Sequence, residues 1–411
     1  MTPPNTPDRG TDALSGATAD ELLELADRVL APTYRRPHRL FTDGRGALLR
    51  DADGEEFLDM TSGIAVLALG HRSTTVADAL RDGAEHLVHI SNLYHSAPAI
   101  ALAARLVELS SADSVFFANS GAEAVEAAIK FSRLVGGSDR RTIVHFTGSF
   151  HGRTLGALAA TDRADYQEPF RPLAGGFRIA PWNSDLAVDA IDSETAAVVL
   201  EPIQGEMGVR VADPEWVRAI RQRCNDAGAL LVFDEIQCGL GRTGRLWAHQ
   251  DLDVEPDIMT LAKPLAGGLP IGAVLMTRSV SDALSPGMHG TTFGGGPLVT
   301  SVALRVLDRI AQPAFLARVR ELGAHLGDRL ERLADLPEVT EIRGRGLMRG
   351  VQVSAPVGDV VSAAFDRRLL VVPSADEVVR VLPPLDVTEA QLDECVDRLG
   401  SAIIATRGKN R

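Results

Sequence analysis

Two charged residues at the ends of apolar runs carry the strongest chemical signal in this sequence. Residues 229–233 are continuously apolar and deliver Asp234, while residues 257–261 lead through Ala262 to Lys263 and then to a glycine-rich stretch, 264–272. A carboxylate at a buried strand end can ligate a metal, act as a general base or partner a ring nitrogen, or it can simply face solvent. A lysine in such a place beside glycines is a candidate Schiff-base nucleophile. Together the two match pyridoxal chemistry, which needs a carboxylate to keep a pyridinium protonated and an amine to bond the cofactor's aldehyde carbon. The cofactor phosphate then needs a cradle. Ser120, Gly121 and Ala122 stand between the run 114–118 and a helical stretch, 123–134, so N–H groups at a helix start are available for an anion. The same turn reads equally well as an ordinary capped helix start.

These residues need a scaffold that brings strand ends together. Apolar or β-branched runs at 114–118, 142–146, 196–200, 229–233, 257–261 and 272–276 alternate with helical periodicity. That alternation predicts an α/β fold with a mostly parallel sheet covered by helices on both faces. The carboxyl ends of such strands open into one ligand crevice, where Asn119, Glu201, Asp234 and Lys263 would converge. Residues 46–50 and 55–59 flank Asp51-Ala-Asp-Gly54 as a hairpin. After Pro313 come a long helix, a strand region over 340–353, a helix near 357–369, strands near 370–373 and 378–382, and a last helix opened by a Thr388–Gln391 capping box. The expected organisation is a tail at 1–18, a large domain at 73–311, and a smaller α+β domain built from 19–72 and 312–411.

Composition narrows the class. The 411 residues are 45% hydrophobic and 24% charged, which describes an ordinary globular chain long enough for two domains. A net charge of -13 argues against a nucleic-acid partner. Neither a long apolar span nor a basic, apolar leader is present, so neither a membrane segment nor a signal peptide is expected. The three cysteines, Cys224, Cys238 and Cys395, lack metal or disulfide spacing and fit a reducing cytoplasm. His86 and His89 read as helix residues rather than a metal pair, and no metal site is expected.

One pattern points elsewhere. Gly239-Leu-Gly241-Arg-Thr-Gly244 matches the dinucleotide fingerprint G-x-G-x-x-G. Residues including Glu235 separate it from the preceding strand, and no helical period follows, so the glycines are read as a conformationally special loop.

At this point the sequence resembles the class III aminotransferases, the fold-type I pyridoxal-phosphate enzymes that include acetylornithine, ornithine and 4-aminobutyrate aminotransferases. The resemblance runs from about residue 30 to residue 399. It is carried by Phe116-Phe-Ala-Asn-Ser-Gly-Ala-Glu123, Phe150-His-Gly-Arg-Thr154, Glu201-Pro-Ile-Gln-Gly-Glu206, Phe233-Asp-Glu-Ile-Gln237, the glycine loop, Leu261-Ala-Lys-Pro264 and Thr291-Thr-Phe-Gly-Gly295. It implies that Lys263 bonds pyridoxal 5'-phosphate and shuttles the proton, and that Asp234 pairs with the ring nitrogen. Phe150 would stack on the ring and Gln237 would sit near its phenolic oxygen. Ser120, Gly121 and Ala122 would hold the phosphate, with Thr292 reaching across from a second subunit of a homodimer. Arg153 and Arg380 would bind substrate carboxylates, and Glu206 would neutralise Arg380 when an ω-amine enters and swing away for glutamate.

Within the class, Ser91-Asn-Leu-Tyr94, Gly63-Ile-Ala-Val66 and Leu382-Pro-Pro-Leu385 look closest to acetylornithine aminotransferases. The resemblance implies transfer of a terminal amine from N-acetylornithine or a related donor to 2-oxoglutarate, in the setting of arginine biosynthesis. His95, Leu67, Met207, Ala122 and Gly296 depart from that pattern. A different ω-amine donor is the near alternative, and a pyridoxal aminomutase or epimerase the more distant one. An effector-binding domain of a DNA-binding protein would need a basic or helix-turn-helix extension that the sequence lacks.

Overall fold

The computed structural model describes residues 16–375 and 377–407. Most of the expected tail, residues 1–15, lies outside the described residues. The central element is a seven-stranded sheet, whose strands we number in chain order. They are β1 (Ser114–Ala118), β2 (Thr142–Phe146), β3 (Phe177–Ala180), β4 (Thr195–Leu200), β5 (Leu230–Asp234), β6 (Ile258–Leu261) and β7 (Gly272–Met276). Their spatial order is β1-β7-β6-β5-β4-β2-β3. All six expected runs are strands. The edge strand β3 had no counterpart in the sequence reading, because Phe177-Arg-Ile-Ala180 is only four residues long and interrupted by Arg178.

The sheet is parallel apart from β7, which pairs antiparallel with both β6 and β1. A parallel return needs a crossover helix, and the 262–271 connection is a loop, so the chain doubles back. Residues of β4 to β7 are buried throughout, as expected for a sheet covered on both faces. The helix Gly121–Gly136 lays Ala124, Val125, Ala128, Ile129 and Phe131 on one side. On the other, Pro214–Ala227 contributes Trp216, Val217 and Ile220 to a cluster with Val198, Leu231 and Phe233. Asp213 caps that second helix, and Gly228 ends it at φ +68°, a left-handed position suited to glycine.

Among the described residues there are three further sheets. In one, Phe41–Arg45, Leu48–Asp51 and Glu56–Asp59 form an antiparallel meander to which Leu369–Leu370 adds in parallel, joining the two ends of the chain. Only the second and third of these strands matched the hairpin expectation. In another, Val339–Arg345, Met348–Val353, Val378–Val381 and Val372–Ser374 pair antiparallel. The last helix, Glu389–Ala405, starts with the Thr388–Gln391 capping box that the sequence indicates. The histidine expectation is corrected: the preceding helix ends at Ala84, so His86 and His89 lie beyond it in irregular chain. No described helix is long and apolar enough to cross a membrane.

Candidate active site

Asp234 is the last residue of β5 and is buried because that strand is covered on both faces. Its Oδ2 lies 2.7 Å from Nδ1 of His151, and its Oδ1 accepts from the Ile236 N–H at 3.1 Å. His151 is itself buried, and its Nε2 has no hydrogen-bond partner. Burial disfavours the imidazolium, but the hydrogen bond and charge of Asp234 outweigh it and raise the His151 pKa. Glu201, directly after β4, accepts from the Phe150 N–H at 3.1 Å. Burial pushes its carboxyl up to about 8, opposed by His151 and reinforced by Asp234.

Lys263 follows β6, and burial lowers its amine to about 8, with Glu206, Arg380, Asp234 and Glu201 the charges that act on it. The tertiary fold therefore brings the charges of three separate segments, 201–206, Asp234 and Arg380, to bear on one amine. Arg380, on the strand Val378–Val381, is 1% exposed yet charged, so it requires partners. Its Nη1 donates to Glu206 Oε1 at 2.6 Å, to Gln237 Oε1 at 2.7 Å and to the Gly205 carbonyl at 2.8 Å. Gln237 Nε2 donates to Glu206 at 3.2 Å. Glu206 is held below the usual carboxylate range: burial works against its ionised form, and Arg380 more than compensates. The Gln237 amide is thus engaged with Arg380 and Glu206.

Ser120 caps the helix Gly121–Gly136, its Oγ accepting from the Glu123 N–H at 3.2 Å. The N–H groups of Gly121 and Ala122 belong to the first turn and have no intrahelical acceptor. A side chain on Gly272 of β7 would stand 2.2 Å from the Ser120 carbonyl, so only glycine lets the sheet approach this helix start. Asn119 donates to Thr291 Oγ1 at 3.0 Å and ties the cradle to the loop bearing Thr292. Thr292 is exposed and, with His95, lines a cavity of about 200 Å³. Phe150 is half-buried, and Arg153, exposed, places its guanidinium over the rings of Tyr166 at 3.5 Å and Phe150 at 5.6 Å.

Over residues 29–403 the sequence matches the family model described as aminotransferase class-III. The chain belongs to the class III aminotransferases. It is 47% identical to an acetylornithine aminotransferase, mitochondrial, of Alnus glutinosa, over 92% of this chain and 86% of the relative. Its fold superimposes on the ornithine aminotransferase of Toxoplasma gondii with a TM-score of 0.93 at 31% identity, covering 99% and 100% of the two chains. The N-acetylornithine aminotransferase of Stenotrophomonas maltophilia gives a TM-score of 0.81 at 37% identity, covering 93% of this chain and 98% of that one. The fold is therefore fold-type I, and the protein is a pyridoxal-phosphate-dependent aminotransferase.

The geometry of this class III chain fits that cofactor. A helix start with free N–H groups suits a phosphate, a fixed carboxylate on a buried strand end suits a protonated ring nitrogen, and a lysine with a lowered pKa suits an aldehyde carbon. The glycine loop 239–244 is absorbed into the class III fold, where it turns against Ile310, Leu316 and Arg320 of two helices, at φ +87° and +88° for Gly241 and Gly244. His151 and Glu201 were not singled out for roles from the sequence. His151 stands beside Phe150 in a quoted block, but its partner Asp234 is 83 positions away. Among the departures, Met207 packs on Gly148 in the Phe150 loop, and Leu67 packs over Gly268.

Proposed function

We propose that this aminotransferase moves the terminal amino group of N-acetylornithine, or of a closely related amine, to 2-oxoglutarate by a ping-pong exchange, yielding a semialdehyde and glutamate. The observation that carries the reading is the buried Arg380 paired with Glu206 at 2.6 Å beside Lys263. A neutralised arginine tolerates an uncharged ω-amine chain, and an arginine released from Glu206 takes the carboxylate of glutamate, so one pocket serves two unlike substrates. The similarity to acetylornithine aminotransferases supports N-acetylornithine as the donor.

Bound pyridoxal phosphate supplies the electron sink that makes a C–H bond beside the substrate nitrogen acidic. The chain's own residues do the rest. Lys263, held at about 8 by burial, has a substantial neutral fraction near neutral pH and is the group that bonds the cofactor and then carries the proton. Asp234, oriented by His151 and the Ile236 N–H, holds the ring nitrogen's proton. Ser120, Gly121 and Ala122 take the phosphate, and Phe150 covers the ring. Arg153 takes a second substrate carboxylate from the Tyr166 side. Gln237 serves Arg380 as well as the cofactor's phenolic oxygen.

The active form is a homodimer in this reading, with Thr292 of the partner subunit completing the phosphate site. Exposed Leu93, Tyr94, Ile100 and Phe293 around Thr292 support it, since so much apolar surface is unusual on a monomer. The division into a large domain at 73–311 and a small one from 19–72 and 312–411 is supported by the sheet that joins the chain's two ends. A cytoplasmic compartment accords with three free, buried cysteines, although the Alnus glutinosa relative is named as mitochondrial.

The test is the visible spectrum of the holoenzyme. N-acetylornithine should bleach the cofactor band and 2-oxoglutarate should restore it. Equal or faster bleaching by ornithine or 4-aminobutyrate would remove N-acetylornithine as the donor while leaving the aminotransferase in place.

A further inference from the structure

The segment that follows Arg380 is gripped by two side chains from distant parts of the sequence. Ser62 Oγ donates to the Leu382 carbonyl at 2.7 Å, and Arg242 Nη1 donates to the next carbonyl, that of Pro383. Arg242 also reaches the Leu347 carbonyl at 3.1 Å, and its own carbonyl accepts from the Leu347 N–H at 3.0 Å. Just ahead of the two grips, the Leu382 N–H donates to the Met60 carbonyl at 2.7 Å.

Both gripping residues are held in unfavourable circumstances. Ser62 begins a run of four left-handed residues, with φ of +43°, +66°, +62° and +64° from Ser62 to Ala65, a conformation that L-residues resist. Ser62 is nonetheless fully buried and fixed from below by Asp59, whose Oδ1 accepts from its N–H at 3.1 Å. Arg242 is 2% exposed, burial pushes its pKa down to about 9, and no neighbouring charge offsets that shift. Its Nη2 has no partner. A buried guanidinium satisfied only by carbonyls is a poor way to gain stability, and its position needs another reason.

The connectivity supplies one. Arg242 lies one loop beyond Gln237, and Gln237 Oε1 accepts from Arg380. The chain from Gln237 through the glycine loop to Arg242, across to Pro383 and back to Arg380 is a closed ring, with Ser62 holding the adjacent carbonyl. At Gly346 a side chain would meet the Arg242 carbonyl at 2.7 Å, so the backbones are pressed together at this point. We propose that Ser62 and Arg242 form a clamp on Leu382 and Pro383 that positions Arg380 for carboxylate recognition. The proposal rests on the reading of Arg380 given above. Neither residue touches substrate; both act through Arg380, whose bidentate contact tolerates only small displacements.

The experiment compares wild-type holoenzyme with Ser62→Ala, Arg242→Lys and Arg380→Ala. KM is measured for 2-oxoglutarate and for N-acetylornithine, with kcat and the visible cofactor band. Ser62→Ala should raise the KM for 2-oxoglutarate about fivefold, the worth of one hydrogen bond, with kcat, the band and the KM for N-acetylornithine within about twofold. Arg242→Lys should show the same split, larger. Equal rises for both substrates, or no rise in Ser62→Ala, would overturn the clamp, and Ser62→Ala decides if Arg242→Lys does not fold. An unchanged KM for 2-oxoglutarate in Arg380→Ala would overturn the role of Arg380 and the clamp with it. A large rise in Arg380→Ala with none in the other two overturns the clamp alone.

Discussion

Nδ1 of His151 lies 2.7 Å from Oδ2 of Asp234, with both side chains buried at the carboxyl edge of the sheet. The contact fixes the rotamer of Asp234 and raises the imidazole's pKa, so the acid is presented with a proton donor behind it. Removing the acid and removing its support should differ in degree. Asp234→Asn is expected to lower kcat by about 10²-fold or more, the scale of a lost proton-transfer partner, whereas His151→Gln should lower it by about tenfold. Steady-state kinetics with saturating cofactor separates the two, and equal losses would place His151 in the chemistry itself.

In the proposed reading Lys263 is the residue that captures the cofactor. Because burial depresses its pKa to about 8, the neutral amine becomes the dominant form above that pH. The rate at which apoprotein regains the visible band after pyridoxal phosphate is added should rise with pH and level off above about 8. Lys263→Ala should lack the band and lose activity by about 10³-fold or more. A rate still climbing steeply toward 10.5, the amine's ordinary value, would show that burial is not governing it.

Glu201 makes stability depend on pH. Its folded pKa of about 8 lies above the ordinary 4.5, so between those values the folded protein binds a proton that the unfolded chain has lost. Stability from this group is therefore present at low pH and declines as pH rises through the window from 4.5 to about 8. Glu201→Gln should flatten that decline, and thermal melts of both proteins at pH 5 and pH 8 measure it. An unaltered slope would mean that Glu201 ionises normally.

The Glu206–Arg380 pair predicts a reversal of preference. Glu206→Ala leaves Arg380 buried without its carboxylate, so an incoming dicarboxylate supplies the counter-charge that Glu206 gave. The KM for the ω-amine should rise about tenfold and that for glutamate should stay level or fall, on the scale of a charge-assisted hydrogen bond. Parallel changes in both would reduce Glu206 to a structural residue.

Gly272 sets the distance between the sheet and the helix start proposed to hold the phosphate. A methyl group there would be 2.2 Å from the Ser120 carbonyl and must displace the helix start. Gly272→Ala should weaken cofactor binding by about tenfold or more, measured by titrating apoprotein, with the overall fold retained. Unchanged binding would show that the cradle tolerates the shift.

Much of this was written in the sequence. Short apolar runs rich in β-branched residues and bounded by turn signals fit strands buried on both faces, so the sheet, its approximate boundaries and the strand-end positions of Asp234 and Lys263 follow from local pattern. Ser120 before a helical period is a local capping signal, and the Thr388–Gln391 capping box another. The four-residue β3 and the first strand of the N-terminal meander escaped because their patterns are too brief to stand out from loop. Histidines 86 and 89 were misread because the helix stops at Ala84, before either of them.

What tertiary structure alone decided are the contacts between residues far apart in the chain. His151 with Asp234, Gln237 with Arg380, and Ser62 and Arg242 with consecutive carbonyls beyond Arg380 all depend on how separate elements dock. The physical reason is that periodicity and capping act over a few residues, whereas the partner of a buried polar group is whichever distant group the packed chain brings within 3 Å or so. Sequence fixes which residues must find partners; only the fold selects them.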